Sequence, residues 1–196
     1  MKLGLFGGSF DPIHIGHLIL AEHIINKFQL DKIIFIPSGD PVHKKPFSKP
    51  IDRYFMTILG IENNKHFEVS TLELDGTIRY SIDTINYFKN KNFSDEIFFI
   101  IGLDSFYNLH TWKMGLNILK LCNFFIIDRF YDGEKLFNKK DFIGEKNLFF
   151  INDFNIDISS TKIREMVKND LKISYLVPKK VENYIYENKL YKNDRK

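Results

Sequence analysis

The feature that most limits what this chain can fold into is a regular alternation of short apolar runs with longer amphipathic segments, sustained from the first residues almost to the last. The runs Lys2 to Phe6, Lys32 to Ile36, Phe67 to Leu74, Glu96 to Ile101, Asn123 to Asp128 and Asn147 to Ile151 have strand length. Most are apolar at consecutive positions, as strands covered on both faces must be. Helical periodicity covers about Ile15 to Phe28, Ile51 to Asn63, Ser81 to Lys91, Trp112 to Leu121, Ser160 to Lys168 and Lys179 to Glu187. Strand and helix in turn predict an α/β fold, a doubly wound and mostly parallel sheet with right-handed crossovers and helices on both faces.

At 196 residues the chain suits one domain spanning 1–196, and its charged end, NKLYKNDRK at 188–196, is expected to fray. A hydrophobic share of 44% with 20 Phe is enough for a sizeable core. Lys and Arg exceed Asp and Glu by only 3, too little for a duplex-wide phosphate footprint, so nucleic acid is not an expected partner. The one cysteine, Cys122, allows neither an intrachain disulfide nor a cysteine-based zinc site, and it fits a reducing compartment. No apolar run approaches the ~20 residues that span a bilayer, and the opening MKLGLFGGSF turns polar too soon for a secretory signal. A cytoplasmic protein without a membrane segment is the expectation.

Ligands of such sheets bind beyond the carboxyl ends of the strands. Five segments there carry chemistry: GGSFDPIHIGH at 7–17, PSGDPVHKK at 37–45, RYSIDT at 79–84, GLDSFYNLHTW at 102–112 and ISSTKIR at 158–164. Gly7 and Gly8 allow main-chain donors to approach a bulky anion closely. Their spacing fits neither the Walker loop nor the dinucleotide fingerprint, because no Gly-Lys-Ser/Thr follows and Gly4, Gly7 and Gly8 miss the GxGxxG pattern. Pro12 suits the start of a helix, on which His14 and His17, three apart, would share one face. Zinc is the rival reading of that pair, but HExxH is missing and no third ligand stands nearby. Two imidazoles at a helix N-terminus instead make a site for charge developing on a phosphoryl group. In ISSTKIR, the residues Ser159, Ser160 and Thr161 are N-cap candidates, while Lys162 and Arg164 oppose the helix dipole unless a polyphosphate binds there.

GGSFDPIHIGH resembles the HxGH signature of the nucleotidyltransferase superfamily, and ISSTKIR resembles its second signature, ISSTxIR. With PSGDPVHKK, SIDT, GLDSFYNLHTW and YLVPKKVENYI, the chain from residue 3 to about 187 is similar to the bacterial nicotinate-nucleotide adenylyltransferases. The resemblance implies a Rossmann-like nucleotidyltransferase fold. It also implies adenylyl transfer from ATP to nicotinic acid mononucleotide, giving deamido-NAD and pyrophosphate in NAD biosynthesis, with Mg²⁺ as cofactor. On the matching positions, His14, His17 and Arg164 would be catalytic. Gly7, Gly8, Ser9, Phe10, Gly102, Asp104, Ser160 and Thr161, with His17 and Arg164, would bind ATP; no residue would ligate metal directly, Asp104 being an indirect Mg²⁺ partner. Lys44, with His43, would close over the phosphates; Lys44, Thr84 and Trp112 would bind the mononucleotide, Thr84 at the nicotinate carboxylate and Trp112 on the pyridine ring. The residue types leave a helix N-cap open for Asp104 and core packing open for Trp112. Other acceptors, phosphopantetheine or nicotinamide mononucleotide, and a nucleotide-sensing module without catalysis are the competing functions.

Overall fold

The computed structural model describes residues 1–39, 46–75, 80–91, 96–128, 146–153 and 156–192. Six parallel strands form one sheet: β1 (Lys2–Gly8), β2 (Lys32–Pro37), β3 (Phe67–Val69), β4 (Glu96–Gly102), β5 (Asn123–Ile127) and β6 (Leu148–Ile151), in the order β3-β2-β1-β4-β5-β6. The helices are α1 (Ile15–Phe28), α2 (Pro50–Ile61), α3 (Ser81–Asn90), α4 (Leu103–Tyr107), α5 (Ser160–Lys168) and α6 (Lys179–Glu187).

Alternation along the strands sends side chains into two cores. Phe6, Phe98, Ile100 and Phe125 pack with Ile24 of α1, Met56 of α2, Ile163 of α5 and Ile185 of α6. Leu5, Phe99, Ile101 and Phe124 pack on the other face with Ile85 of α3, Phe106 of α4 and Ile118. Helices therefore cover both faces, and the doubly wound fold expected from the sequence is the one observed. The winding direction reverses between β1 and β4, so the chain leaves a crevice at their carboxyl ends.

Several local expectations shift. The stretch expected as one helix from Trp112 to Leu121 is instead a 3₁₀ turn at Gly115–Lys120, preceded by α4 and a second 3₁₀ turn at Leu109–Thr111. Met114 and Gly115 have φ of 73° and 52°, left-handed values that a continuous right-handed helix excludes. β3 stops at Val69 rather than Leu74, where Leu72 N–H turns back to Ser70 Oγ at 3.1 Å. Residues 188–192, expected to fray, instead pack Leu190 and Tyr191 against the first core. Among the described residues no helix is long and apolar enough to cross a membrane.

Candidate active site

β1 runs two residues further than its apolar pattern, so Gly7 and Gly8 close the strand instead of following it, paired with Ile36 and Pro37. A side chain at Gly8 would press within 3.1 Å of the Phe10 ring, so the glycine here answers a need for space. Phe10 itself takes φ of 46° and turns its buried ring under the site, edge-on to His17 at 5.2 Å between centroids. Its side chain is thus a packing support for His17.

α1 begins at Ile15, three residues past Pro12, and His14 is its N-cap. The His17 backbone N–H donates to His14 Nδ1 at 3.3 Å, and the His14 backbone N–H donates to His17 Nδ1 at 3.2 Å. This reciprocal cap does for histidine what a Ser/Glu capping box does elsewhere. Because each Nδ1 accepts, the proton of each neutral ring resides on Nε2, which makes both rings donors of the same hand. The rings are stacked at 3.6 Å, so they act at one spot. Gly16 lies close to the same pair: a Cβ there would stand 3.1 Å from His14 Nδ1, so a side chain would press on the cap.

α5 is capped by Ser159, whose side chain accepts from Lys162 N–H at 3.2 Å. Ser160 Oγ donates to the Pro12 carbonyl at 2.9 Å, tying α5 to the histidine loop. Arg164 lies in the second turn and only 9% exposed. Its Nη1 donates to the Asp11 carbonyl at 2.7 Å, its Nη2 to Thr161 Oγ1 at 3.1 Å, and the guanidinium lies 4.4 Å from the centre of the Phe47 ring. The expected conflict between this cation and the helix dipole is therefore relieved within the protein, before any anion binds.

Between the ends of β1 and β4 lies a cavity of about 570 Å³. Gly7, Gly8, Ser9, Thr84, Gly102, Asp104 and Trp112 line it, as do Glu73, Tyr80, Asn108 and Lys113. His14, His17, Ser160, Thr161 and Arg164 are not among its wall residues. They gather around the adjoining loop, reached through Ser9 and Phe10. Gly102 is the N-cap of α4 and Asp104 sits exposed in its first turn, so the alternative of an Asp104 N-cap falls away. Trp112 is half-buried against the second core and also lines the cavity. Thr84 is 1% exposed and its hydroxyl donates to Glu73 Oε1 at 2.9 Å. In this structure that hydroxyl is engaged by a carboxylate of the protein. The nearby cations and dipoles are the Lys113 ammonium, which pairs with Asp83 at 3.3 Å and sits over Tyr80 at 4.8 Å, and the N-terminus of α3 at Tyr80 and Ser81. His43 and Lys44 lie outside the described residues.

Two residues escaped the sequence reading. Arg53 is fully buried and donates to the carbonyls of Ser9 at 3.1 Å, Ser38, Gly39 at 2.6 Å and Ser48 at 3.3 Å, fastening the loops after β1 and β2 together. A charged residue inside the buried stripe Arg53, Met56, Thr57 and Ile61 of α2 was its only signal. Asp11 is the other, 2% exposed and surrounded by donors from distant segments.

A sheet that reverses its winding between β1 and β4, with HxGH on the first loop and ISSTxIR on a helix fastened to it, defines a nucleotidyltransferase. Residues 5–166 match the cytidylyltransferase-like family. A nicotinate-nucleotide adenylyltransferase from Thermoanaerobacter sp. (strain X514) is 41% identical over 203 residues, covering 99% of this chain and 96% of that protein. One from Clostridium novyi (strain NT) is 41% identical over 198 residues, covering 97% and 99%. Among solved structures, the Plasmodium falciparum nicotinic acid mononucleotide adenylyltransferase complexed with NaAD superposes with a TM-score of 0.80 at 20% identity, over 97% of each chain, which supports the fold. The chain belongs to the cytidylyltransferase-like family, among the nicotinate-nucleotide adenylyltransferases.

Proposed function

We propose that the protein transfers the adenylyl group of ATP to nicotinic acid mononucleotide, releasing pyrophosphate and forming deamido-NAD for NAD biosynthesis. The observation that carries this reading is the cavity between β1 and β4 set beside the capped histidine pair, because it offers a nucleotide-sized space next to a cluster of hydrogen-bond donors suited to phosphate. The acceptor's phosphate is already anionic near neutral pH. It attacks the α-phosphorus directly; one P–O bond forms to the acceptor as the bond to the pyrophosphate oxygen breaks. Catalysis is then positioning and charge stabilisation.

His14 and His17 donate through Nε2 toward the reacting phosphates, with the N-terminus of α1 beneath them. Arg164, Thr161 and Ser160 hold the polyphosphate; the main chain from Gly7 to Phe10 approaches it closely. Gly102, which has open space where a Cβ would stand, and Asp104 face the ribose. Trp112 stacks on the pyridine ring. The nicotinate carboxylate meets the N-terminus of α3 and the Lys113 ammonium beside Thr84. Lys44, with His43, supplies further cations to the phosphates.

Mg²⁺ fits this donor set as an ion carried by phosphate oxygens and water: among the described residues no group of three or more His, Cys, Asp or Glu side chains is placed to hold a metal, and Asp104 is a carboxylate at the cavity wall. When bound it neutralises charge on ATP and on the departing pyrophosphate. Pyrophosphate release with ATP, Mg²⁺ and, in separate reactions, nicotinic acid mononucleotide, its amide and phosphopantetheine tests the proposal. The acid should react at least tenfold faster in kcat/KM than either alternative, a margin of about 1.4 kcal/mol in transition-state binding. Equal rates with acid and amide would overturn the acceptor, and binding without turnover would leave only a sensor.

A further inference from the structure

Asp11 is where four distant parts of the chain meet. Its carboxylate accepts from Phe47 N–H at 2.7 Å, Ser48 N–H at 3.4 Å, the Ser48 hydroxyl and, from the far end of the chain, the Tyr191 hydroxyl at 2.7 Å. Its backbone carbonyl receives Arg164, and the next carbonyl, that of Pro12, receives Ser160. Phe47, whose N–H is held by the carboxylate, lies against the Arg164 guanidinium although its own ring is 75% exposed. One buried acidic residue thus fixes both the carbonyl that orients Arg164 and the ring that covers it.

Tyr191 is itself held in place. Its hydroxyl also lies 3.1 Å from Ser48 Oγ and 3.8 Å from Met56 Sδ, and its backbone takes φ of 64°, turning the chain back onto the core after α6. Burial and the neighbouring Asp11 carboxylate push its phenol upward, which favours the protonated, donating form.

We propose that Tyr191 is a positioning residue for the phosphate site, its hydroxyl holding the Asp11 carboxylate so that the Asp11 carbonyl and Phe47 aim the Arg164 guanidinium at ATP. The segment after α6 is then a working part of the nucleotide site. This rests on the reading of Arg164 as an ATP ligand. A buried carboxylate that loses one donor re-orients toward its remaining partners, and a small displacement of a phosphate ligand costs much more than the hydrogen bond itself.

Tyr191→Phe keeps the ring and removes only the hydroxyl. Tyr184→Phe is its control: Tyr184 also donates to a carboxylate, Asp52 Oδ1 at 2.9 Å, but among the described residues no hydrogen bond or ion pair joins that carboxylate to Arg164 or the histidine loop. Calorimetric binding of a non-hydrolysable ATP analogue with Mg²⁺, together with KM for both substrates, reads the effect. Tyr191→Phe should weaken analogue binding and raise the ATP KM by about tenfold while the mononucleotide KM stays within about twofold, and Tyr184→Phe should leave all three unchanged. Equal behaviour of the two variants, or a loss in Tyr191→Phe shared by both substrates, would overturn the proposal. If the natural protein binds the analogue without turning over nicotinic acid mononucleotide, the acceptor reading fails while the binding ratio still decides Tyr191. If it does not bind the analogue, both fail.

Discussion

Arg164 shows what residue types disclose and what they conceal. A cation early in α5 pointed to an anion, and the side chain does stand beside Thr161 and the histidine loop. Its second task, donating to the Asp11 carbonyl 153 positions away, has no local signature. Long separations likewise hid Asp11 and Arg53, whose partners lie as far away as Tyr191 and Ser9; of the histidine pair the sequence showed the three-residue spacing, while the structure makes His14 the N-cap of α1 rather than a residue on its face. Two tasks give Arg164→Ala two consequences of the same sign. Without ligand the variant should lose about 1 to 3 kcal/mol, since a buried carbonyl is left without its donor, which lowers the melting temperature by several degrees in a chain of this size. Saturating Mg-ATP should raise the melting temperature of the natural protein and barely raise that of the variant, because stabilisation by a ligand follows its affinity. Paired thermal melts give both numbers; an undiminished response to ATP would make Arg164 a structural residue alone.

Helix ends were legible wherever a local cap sets them. α1, α5 and α6 run between the limits their patterns predicted, with His14, Ser159 and Pro178 in the cap positions. The stretch from Trp112 to Leu121 is apolar enough for the helix expected there, but the left-handed backbone at Met114 and Gly115 breaks it into a 3₁₀ turn. α6 makes a separate test at this scale. Glu182 is nearly buried; its hydrogen bond from Ser174 at 2.7 Å, aided by Lys179 at 3.1 Å, outweighs burial and holds its carboxyl below the usual glutamate range. A depressed carboxyl stabilises the fold above its unfolded value, and that contribution is lost as pH falls through the folded one. Glu182→Gln should therefore cost about 1 to 2 kcal/mol at pH 7, mostly through Ser174, because the Lys179 ammonium is exposed and screened. The difference between variant and natural protein in urea melts should close as the pH drops below about 4. A gap that persists unchanged into acid would assign Glu182 a packing role.

Across the whole molecule, the alternation of strand and helix placed ligands beyond the carboxyl ends of the strands, and the strand order of the structure puts the crevice between β1 and β4, where the winding reverses. The nucleotidyltransferase superfamily was legible in the HxGH and ISSTxIR signatures, and the fine division between donor cluster and cavity was not, because it depends on how the loops pack over Arg53 and Asp11. That arrangement presents donors and cations to a phosphoryl group, the mode of catalysis by position and charge. The central claim is therefore a single direct displacement at the α-phosphorus. The stereochemical course of the reaction tests it most directly, with ATP made chiral at the α-phosphorus by sulfur substitution and nicotinic acid mononucleotide as acceptor. One in-line displacement predicts inverted configuration in the thio-substituted deamido-NAD. Retention would mean two displacements through an adenylylated residue, and would contradict a site that works by position and charge alone.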